Sequence, residues 1–172
     1  MKSTELQPTE YALYYKPYLE ALGDVDLLSE LQFSLKSFLD FLKSIPEEKY
    51  EYRYAEGKWT IKDIIQHVID AERIFAYRAL RIARNDSTPL PGFDENKYVS
   101  TAQANSRSFA ELLEEFELVR KTTCLLFKTF TQEQLTQLGI ASEKSVSVRA
   151  IGFICIGHQK HHEKIIRERY LN

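Results

Sequence analysis

Four long segments of this chain repeat their apolar residues at the spacing of an α-helix, and no segment sustains the alternation of a β-strand. Glycines and prolines, six and five in number, cluster between these segments. A chain of 172 residues is long enough to bury one sizeable core. We therefore predict an all-α fold, a four-helix bundle that forms a single domain over residues 1–172.

The first two predicted helices have recognisable starts. The first runs from about Val25 to Ile45, with Asp24 as its N-cap. The second runs from about Ile61 to Arg84, and the pair Thr60 and Asp63 at its start resembles a capping box.

A long connection at residues 85–104 separates the second and third predicted helices. We predict a loop there, and a loop of this length is a candidate wall or lid of a functional site. The third helix covers about Ser106 to Phe130, and the sequence TQEQL adds a short helical turn. The last helix begins near Ser147 and continues to the end of the chain.

Charge and composition exclude several classes of partner. The net charge of −2 argues against a nucleic-acid-binding surface, which needs an excess of basic residues. No stretch is apolar over the length of a membrane span, and the first residues lack the apolar core of a signal peptide. Two cysteines do not make a disulfide framework. These features predict a cytoplasmic protein that binds a small molecule rather than nucleic acid or a membrane.

Three of the four histidines lie in GHQKHHEKII, residues 157–166. On a helix, His158 and His162 stack one turn apart inside the apolar stripe, whereas His161 lies at its edge. Two buried imidazoles need partners for their nitrogens. A metal ion is one such partner, and carbonyls, carboxylates or water are the others. The spacing alone leaves these two interpretations balanced.

The fourth histidine, His67, flanks the apolar stripe of the second helix and is directed toward a neighbouring helix. Taken alone, it fits a partly exposed helix histidine. Three histidines from two helices would form an open three-ligand site, which is typical of catalytic rather than structural zinc. Cys155 is a candidate fourth ligand, although a small buried apolar side chain is its more common role.

Two carboxylates near His67 are the candidate catalytic groups. Glu72 lies near the centre of the apolar stripe, where it needs a partner such as Arg, Tyr or a ligand histidine. Asp70 lies three residues from His67 and is a candidate base or partner of a ligand. A solvated helix carboxylate is an equal alternative for Asp70.

Four segments in order resemble the DinB/YfiT-like superfamily of metalloenzymes: YYKPYLEAL, KWTIKDIIQHVIDAER, PLPGFDENKYV and SVRAIGFICIGHQKHHEKIIRERYL. The resemblance covers nearly the whole chain. It implies a four-helix bundle with an open three-histidine site for a divalent metal, zinc or nickel. Carried onto this sequence, the metal ligands are His67, His158 and His162. The family pattern often continues with Gln or His where this chain has Ile165, so no polar role is expected there.

Family members with known activity are largely thiol S-transferases that use low-molecular-weight thiols such as bacillithiol or mycothiol. The resemblance therefore implies a metal-dependent enzyme that transfers a thiol cosubstrate to an electrophilic small molecule through a metal-bound thiolate. One alternative is a hydrolase that uses metal-bound water, with Asp70 or Glu72 as base. Another is a metal-binding bundle without catalysis. Homodimers are common in the family, which leaves a homodimer open for this chain.

Overall fold

The computed structural model describes residues 1–172, and its framework consists of four long helices. Numbered along the chain, the helices are α1 (Lys16–Glu20), α2 (Leu27–Lys43), α3 (Ile61–Ala83), α4 (Glu95–Ala102), α5 (Phe109–Lys128), α6 (Gln132–Thr136) and α7 (Val148–Ile165). A π-helical turn, Ile166–Tyr170, extends α7. Strands β1 (Leu138–Ala141) and β2 (Lys144–Ser147) form an antiparallel hairpin before α7, with Leu138 opposite Ser147.

The four long helices form a bundle in which α3 packs against α5 and α7, and α2 packs against the same two helices. The consecutive helices α2 and α3 therefore lie diagonally across the bundle. This arrangement confirms the predicted all-α four-helix bundle, and the short hairpin is an addition that the sequence pattern did not indicate. None of the helices combines the length and the apolar character that a membrane span needs.

Of the two predicted helix starts, the N-cap of α2 was wrong and the capping box of α3 is confirmed. Asp26, not Asp24, caps α2, because its carboxylate accepts a hydrogen bond from the first helical turn at 3.1 Å. Asp24 instead pairs with Lys2 at 3.1 Å. The capping box of α3 is present. The Asp63 amide donates to the Thr60 hydroxyl at 3.0 Å, and the Thr60 amide donates to the Asp63 carboxylate at 2.9 Å.

The connection predicted as a loop at residues 85–104 contains α4, so the prediction of a loop was wrong for Glu95–Ala102. Asp94 caps this helix, and none of its residues is buried, so no apolar periodicity marks it. Ahead of α4 the connection is fixed to the hairpin. The Leu90 amide donates to the Ile140 carbonyl, and the Ser142 amide donates to the Leu90 carbonyl, each at 2.9 Å.

A buried polar layer crosses the middle of the bundle. At its centre Arg120 of α5 donates two hydrogen bonds to Glu72 of α3, from Nε at 2.7 Å and from Nη2 at 2.8 Å. Arg120 is 0% exposed and Glu72 is 1% exposed. The Ser34 hydroxyl of α2 accepts from Arg120 Nη1 at 2.7 Å, and the Ser34 carbonyl accepts from Gln159 of α7 at 3.2 Å. The layer therefore joins all four long helices, and Arg120 is the partner that Glu72 was predicted to need.

We expect the Glu72→Gln variant to lose about 3–5 kcal/mol of the free energy of unfolding, because it leaves the buried Arg120 charge without a carboxylate. Urea denaturation followed by circular dichroism measures the loss. Glu117→Gln is the matched control, since Glu117 pairs with Lys121 on the exposed surface, where solvent screening leaves such a pair with little effect on stability. Equal losses in the two variants would contradict a structural role for the buried pair.

Candidate metal centre

Helices α3 and α7 bring three imidazoles together inside the bundle. The Nε2 atom of His158 lies 3.0 Å from that of His67 and 3.1 Å from that of His162. The ligand atoms of the three side chains all lie within 4.8 Å of one another. His67 is 7% exposed, and His158 and His162 are each 8% exposed. The pair identified on the last helix and the third histidine on α3 thus form one buried cluster, which we call the three-histidine cluster.

The three imidazoles are neutral near pH 7. Burial lowers the pKa of His67 to about 4. Burial, together with the neighbouring histidines, lowers the pKa values of His158 and His162 well below the ordinary range. Neutral imidazoles have the lone pairs that metal ligation requires.

The contacts around His158 favour a cation over hydrogen bonding alone. A ring nitrogen of a neutral imidazole has either one proton or one lone pair. The Nε2 atom of His158 therefore cannot satisfy both of its short nitrogen contacts, whereas one cation can accept a lone pair from each of the three rings. Ligands placed tetrahedrally about 2.0–2.1 Å from a zinc ion lie roughly 3.3 Å from one another. The observed 3.0 and 3.1 Å separations are close to that value.

Aromatic side chains pack around the three-histidine cluster and restrict the orientation of its rings. The centroid of the Trp59 ring lies 4.9 Å from that of His67. Tyr18 and Phe75 pack edge-on against His158, with centroid distances of 6.0 and 5.8 Å. An imidazole held in this way presents Nε2 in a fixed direction, which favours a preformed site.

Gly157 allows α1 to approach α7 next to the cluster. A Cβ atom at this position would lie 2.6 Å from the carbonyl oxygen of Tyr18, too close for any side chain. The close approach places the Tyr18 ring against His158 and also 4.8 Å from the His161 ring, centroid to centroid. The glycine of the GHQKHH motif is therefore required by packing.

The three-histidine cluster opens onto a cavity of about 470 Å³. Six aromatic side chains line it: Tyr14, Tyr15, Tyr18, Trp59, Phe75 and Phe93. Arg78, Glu95, Ser142 and His161 supply its polar groups besides the cluster. A space of this size with a few convergent polar groups is typical of a site for a small molecule.

Neither carboxylate predicted from the sequence lines this cavity. Asp70 accepts a hydrogen bond from Gln66 at 3.0 Å and faces a separate cavity of about 520 Å³. Glu72 lies in the buried polar layer with Arg120. Cys155 belongs to the same layer, since its sulfur lies 3.9 Å from Arg120 Nη2, and it is outside the group of residues that can hold one ion.

Three polar groups of the cavity, Arg78, Glu95 and Ser142, were not identified from the sequence. Glu95 lies at the start of α4, in the segment predicted as a loop. Arg78 lies on the same face of α3 as His67, Ala71 and Phe75, at successive spacings of three or four residues. That helical spacing is a signal that could have identified Arg78, whereas no pattern marks Glu95.

Residues 30–166 match the sequence model of the DinB superfamily, and the match includes all three histidines of the cluster. The chain belongs to the DinB superfamily. A curated relative from Oceanobacillus iheyensis, named "Putative metal-dependent hydrolase OB0413", is 25% identical over 123 residues, which cover 70% of each chain.

Two solved structures share this DinB fold. YfiT from Bacillus subtilis, described as "a probable metal-dependent hydrolase with an unusual four-helix bundle topology", superposes with a TM-score of 0.75 at 12% identity. That match covers 95% of this chain and 90% of YfiT. A mycothiol-dependent maleylpyruvate isomerase superposes with a TM-score of 0.67 at 12% identity, over 81% of this chain and 60% of the isomerase. Identities this low show a common fold and nothing more specific.

We expect Gly157→Ala to lose about 1–3 kcal/mol of the free energy of unfolding, because the new Cβ would overpack against the backbone of Tyr18. Urea denaturation measures the loss. Gly92→Ala is the control, because the nearest atom to its new Cβ would be Ser142 Oγ at an ordinary 3.4 Å. A change below about 1 kcal/mol is expected there. If Gly157→Ala were as stable as the control, the close approach of α1 would be incorrect.

Proposed function

We propose that this chain is a metal-dependent enzyme that joins a low-molecular-weight thiol to a small electrophilic substrate. His67, His158 and His162 would hold a divalent metal, zinc or nickel, although three imidazoles also suit iron and copper. The observation that carries the proposal is the convergence of three neutral imidazole nitrogens at the wall of a cavity. Three protein ligands leave one position free for a small molecule, as in catalytic sites.

When bound, such a metal lowers the pKa of a thiol or a water molecule in its open position. The chain supplies the remaining parts of the chemistry. The aromatic wall provides a flat apolar surface for the electrophile. Glu95 is the carboxylate of the cavity lining, and we assign it the role of accepting the proton that the thiol loses. In an addition reaction, that proton returns to the substrate atom beside the new carbon–sulfur bond.

Glu72 would act on the site through Arg120 and not by contact with the substrate. Arg120 reaches Cys155, which lies one helical turn before His158 on α7. The pair between α3 and α5 therefore helps to set the position of α7, and with it the separation of His158 from His67. A role of Asp70 as base stays a prediction from the sequence, as does a homodimer.

Thiol transfer is placed first because the fold is shared with an isomerase whose name states its dependence on a low-molecular-weight thiol. A metal-dependent hydrolase is the second candidate. It is favoured by the names of the relative from Oceanobacillus iheyensis and of YfiT, and by a carboxylate in the cavity that can act as base toward water. A bundle that binds metal without catalysis is the third.

We expect wild-type protein, purified without a histidine tag, to bind zinc or nickel stoichiometrically. His67→Ala, His158→Ala and His162→Ala should each weaken metal binding by well over about tenfold, since loss of a mere partner of a ligand costs about 10–100-fold. Elemental analysis after dialysis measures the metal content. His161→Ala is the control, because His161 is only half-buried and lies outside the cluster. Undiminished metal in His67→Ala would rule out the assigned ligand set.

We expect the metal-loaded protein to conjugate bacillithiol or mycothiol to a fluorogenic electrophile such as monochlorobimane. Chelation should abolish the conjugation, and added zinc or nickel should restore it. A parallel assay with p-nitrophenyl esters and anilides, in the absence of thiol, tests the hydrolase. Chelator-sensitive hydrolysis without conjugation would favour the second candidate, and metal binding without either activity would favour the third.

A further inference from the structure

The cavity contains a buried arginine that lacks an acidic partner. Arg78 is 4% exposed, and the only other buried arginine, Arg120, is 0% exposed. Arg120 is paired with both carboxylate oxygens of Glu72. Arg78 forms no ion pair with any carboxylate and donates only to neutral oxygens. A buried charge is costly unless it is paired. Arg120 has its carboxylate and Arg78 does not, so an anionic ligand would be stabilised beside Arg78.

The hydrogen bonds of Arg78 leave most of its donors free. Its Nη2 atom donates to the carbonyl oxygen of Pro91 at 2.7 Å and to the hydroxyl of Ser142 at 2.9 Å. The Tyr15 hydroxyl lies beside the guanidinium and partly offsets the lowering of the pKa of Arg78 that burial causes. A guanidinium has five N–H donors, so the Nε–H group and the two Nη1–H groups have no carboxylate to bind.

The turn between β1 and β2, which contacts Arg78, has strained backbone angles and is held in place by its neighbours. Ser142 and Glu143 in the turn between β1 and β2 have φ angles of 49° and 63°, although neither is glycine. Such residues cost of order 1 kcal/mol each and persist where surrounding structure holds them. Hydrogen bonds to Leu90 hold this turn and bring Ser142 Oγ to the guanidinium. Two separate segments thus converge on Arg78.

Arg78 shares its cavity with the three-histidine cluster. Both His67 and Arg78 lie on α3, about three turns apart on one face, with Phe75 between them. Long side chains on a helix point back toward its N-terminus, so Arg78 extends toward His67. Glu95 is exposed at the cavity, and no ion pair joins it to Arg78. The charge of Arg78 is therefore available to a ligand.

We infer that Arg78 binds the carboxylate of a small organic acid whose apolar body lies against the aromatic wall, so that the ligand extends from Arg78 toward the histidines. The inference rests on the proposed function in one respect, that this cavity is the substrate site. Arg is suited to this role because its guanidinium keeps its charge when buried, and Nε–H or Nη1–H can donate a charge-assisted hydrogen bond to a carboxylate oxygen. The carboxylate could belong to the electrophile or to the thiol, and the experiment below uses separate probes to distinguish the two.

The test uses the full chain, freed of metal with chelator so that no carboxylate can bind through an ion. Trp59 is the only tryptophan and lines the cavity, so its fluorescence reports ligand binding. Two matched pairs of probes differ only in charge: phenylacetate with phenylacetamide, and mercaptoacetate with mercaptoacetamide. We expect the acid of at least one pair to bind about tenfold or more tightly than its amide, since a hydrogen bond to a charged group contributes about 1.5–3 kcal/mol. The pair that shows the preference identifies the part of the substrate that bears the carboxylate.

Arg78→Gln should abolish the preference for the acid, whereas Arg84→Gln should retain it. Arg84 ends the same helix but is exposed and outside the cavity. Circular dichroism checks that each variant folds. Arg78→Lys keeps a cation but loses the Nε donor and the bonds to Pro91 and Ser142 that position the side chain, and we expect its affinity for the acid to fall about tenfold. Wild-type affinity in Arg78→Lys would overturn the assignment, as would acid and amide probes that bind the wild-type protein equally.

The outcome is separable from that of the proposed function. The probes are measured without metal, so a chain that proved to bind no metal would still show the preference for the acid. Conversely, if metal content and conjugation behaved as proposed but the acids bound no better than their amides, only the role of Arg78 would be wrong.

Discussion

The buried ion pair between Arg120 and Glu72 is the interaction on which the rest of the structure depends. It lies in a polar layer where apolar residues would otherwise continue, so that Leu31 and Phe38, on either side of Ser34, belong to different apolar clusters. A charge pair at this depth is tolerated only with near-ideal geometry and further hydrogen bonds, both of which are present here. The layer therefore selects one register of the four helices, which is the register that brings α3 and α7 together at the histidines.

The sequence predicted the parts of the fold that bury an apolar face. Helices α2, α3, α5 and α7 all have such a face, and their periodicity located them within a few residues. Helix α4 has no buried residue and left no periodic trace. The hairpin was missed because its strands are four residues long and its turn, Ser142–Glu143, lacks the Asn-Gly or Asp-Gly sequence that marks such turns.

The candidate site was predictable to the extent that it is local in sequence. His158 and His162 could be paired from their spacing on one helix, because that spacing fixes their direction. His67 was added partly from its position beside the apolar stripe of α3 and more heavily from the family resemblance, since its distance from the others depends on how α3 packs against α7. Glu72 was correctly identified as a buried carboxylate in need of a partner, but its partner lies on α5, and no local pattern indicates Arg120. Contacts between distant segments were thus the part that the sequence did not reveal.

Helix α3 sets the length of the cavity, and other segments contribute to its width. One face of this helix carries His67 and Arg78, whose Cα atoms lie about 16 Å apart along the axis. A different face carries Glu72 and is held by Arg120, so α3 cannot shift along its axis without breaking the buried pair. The lining also includes Phe93, which lies just before α4, and Glu95, which lies in that exposed helix. The distance between the two ends of a ligand is therefore set by the helix that the core fixes most firmly. Part of the width that the ligand may have is set by α4, which has no buried residue, so sequence changes there can alter specificity without loss of the fold.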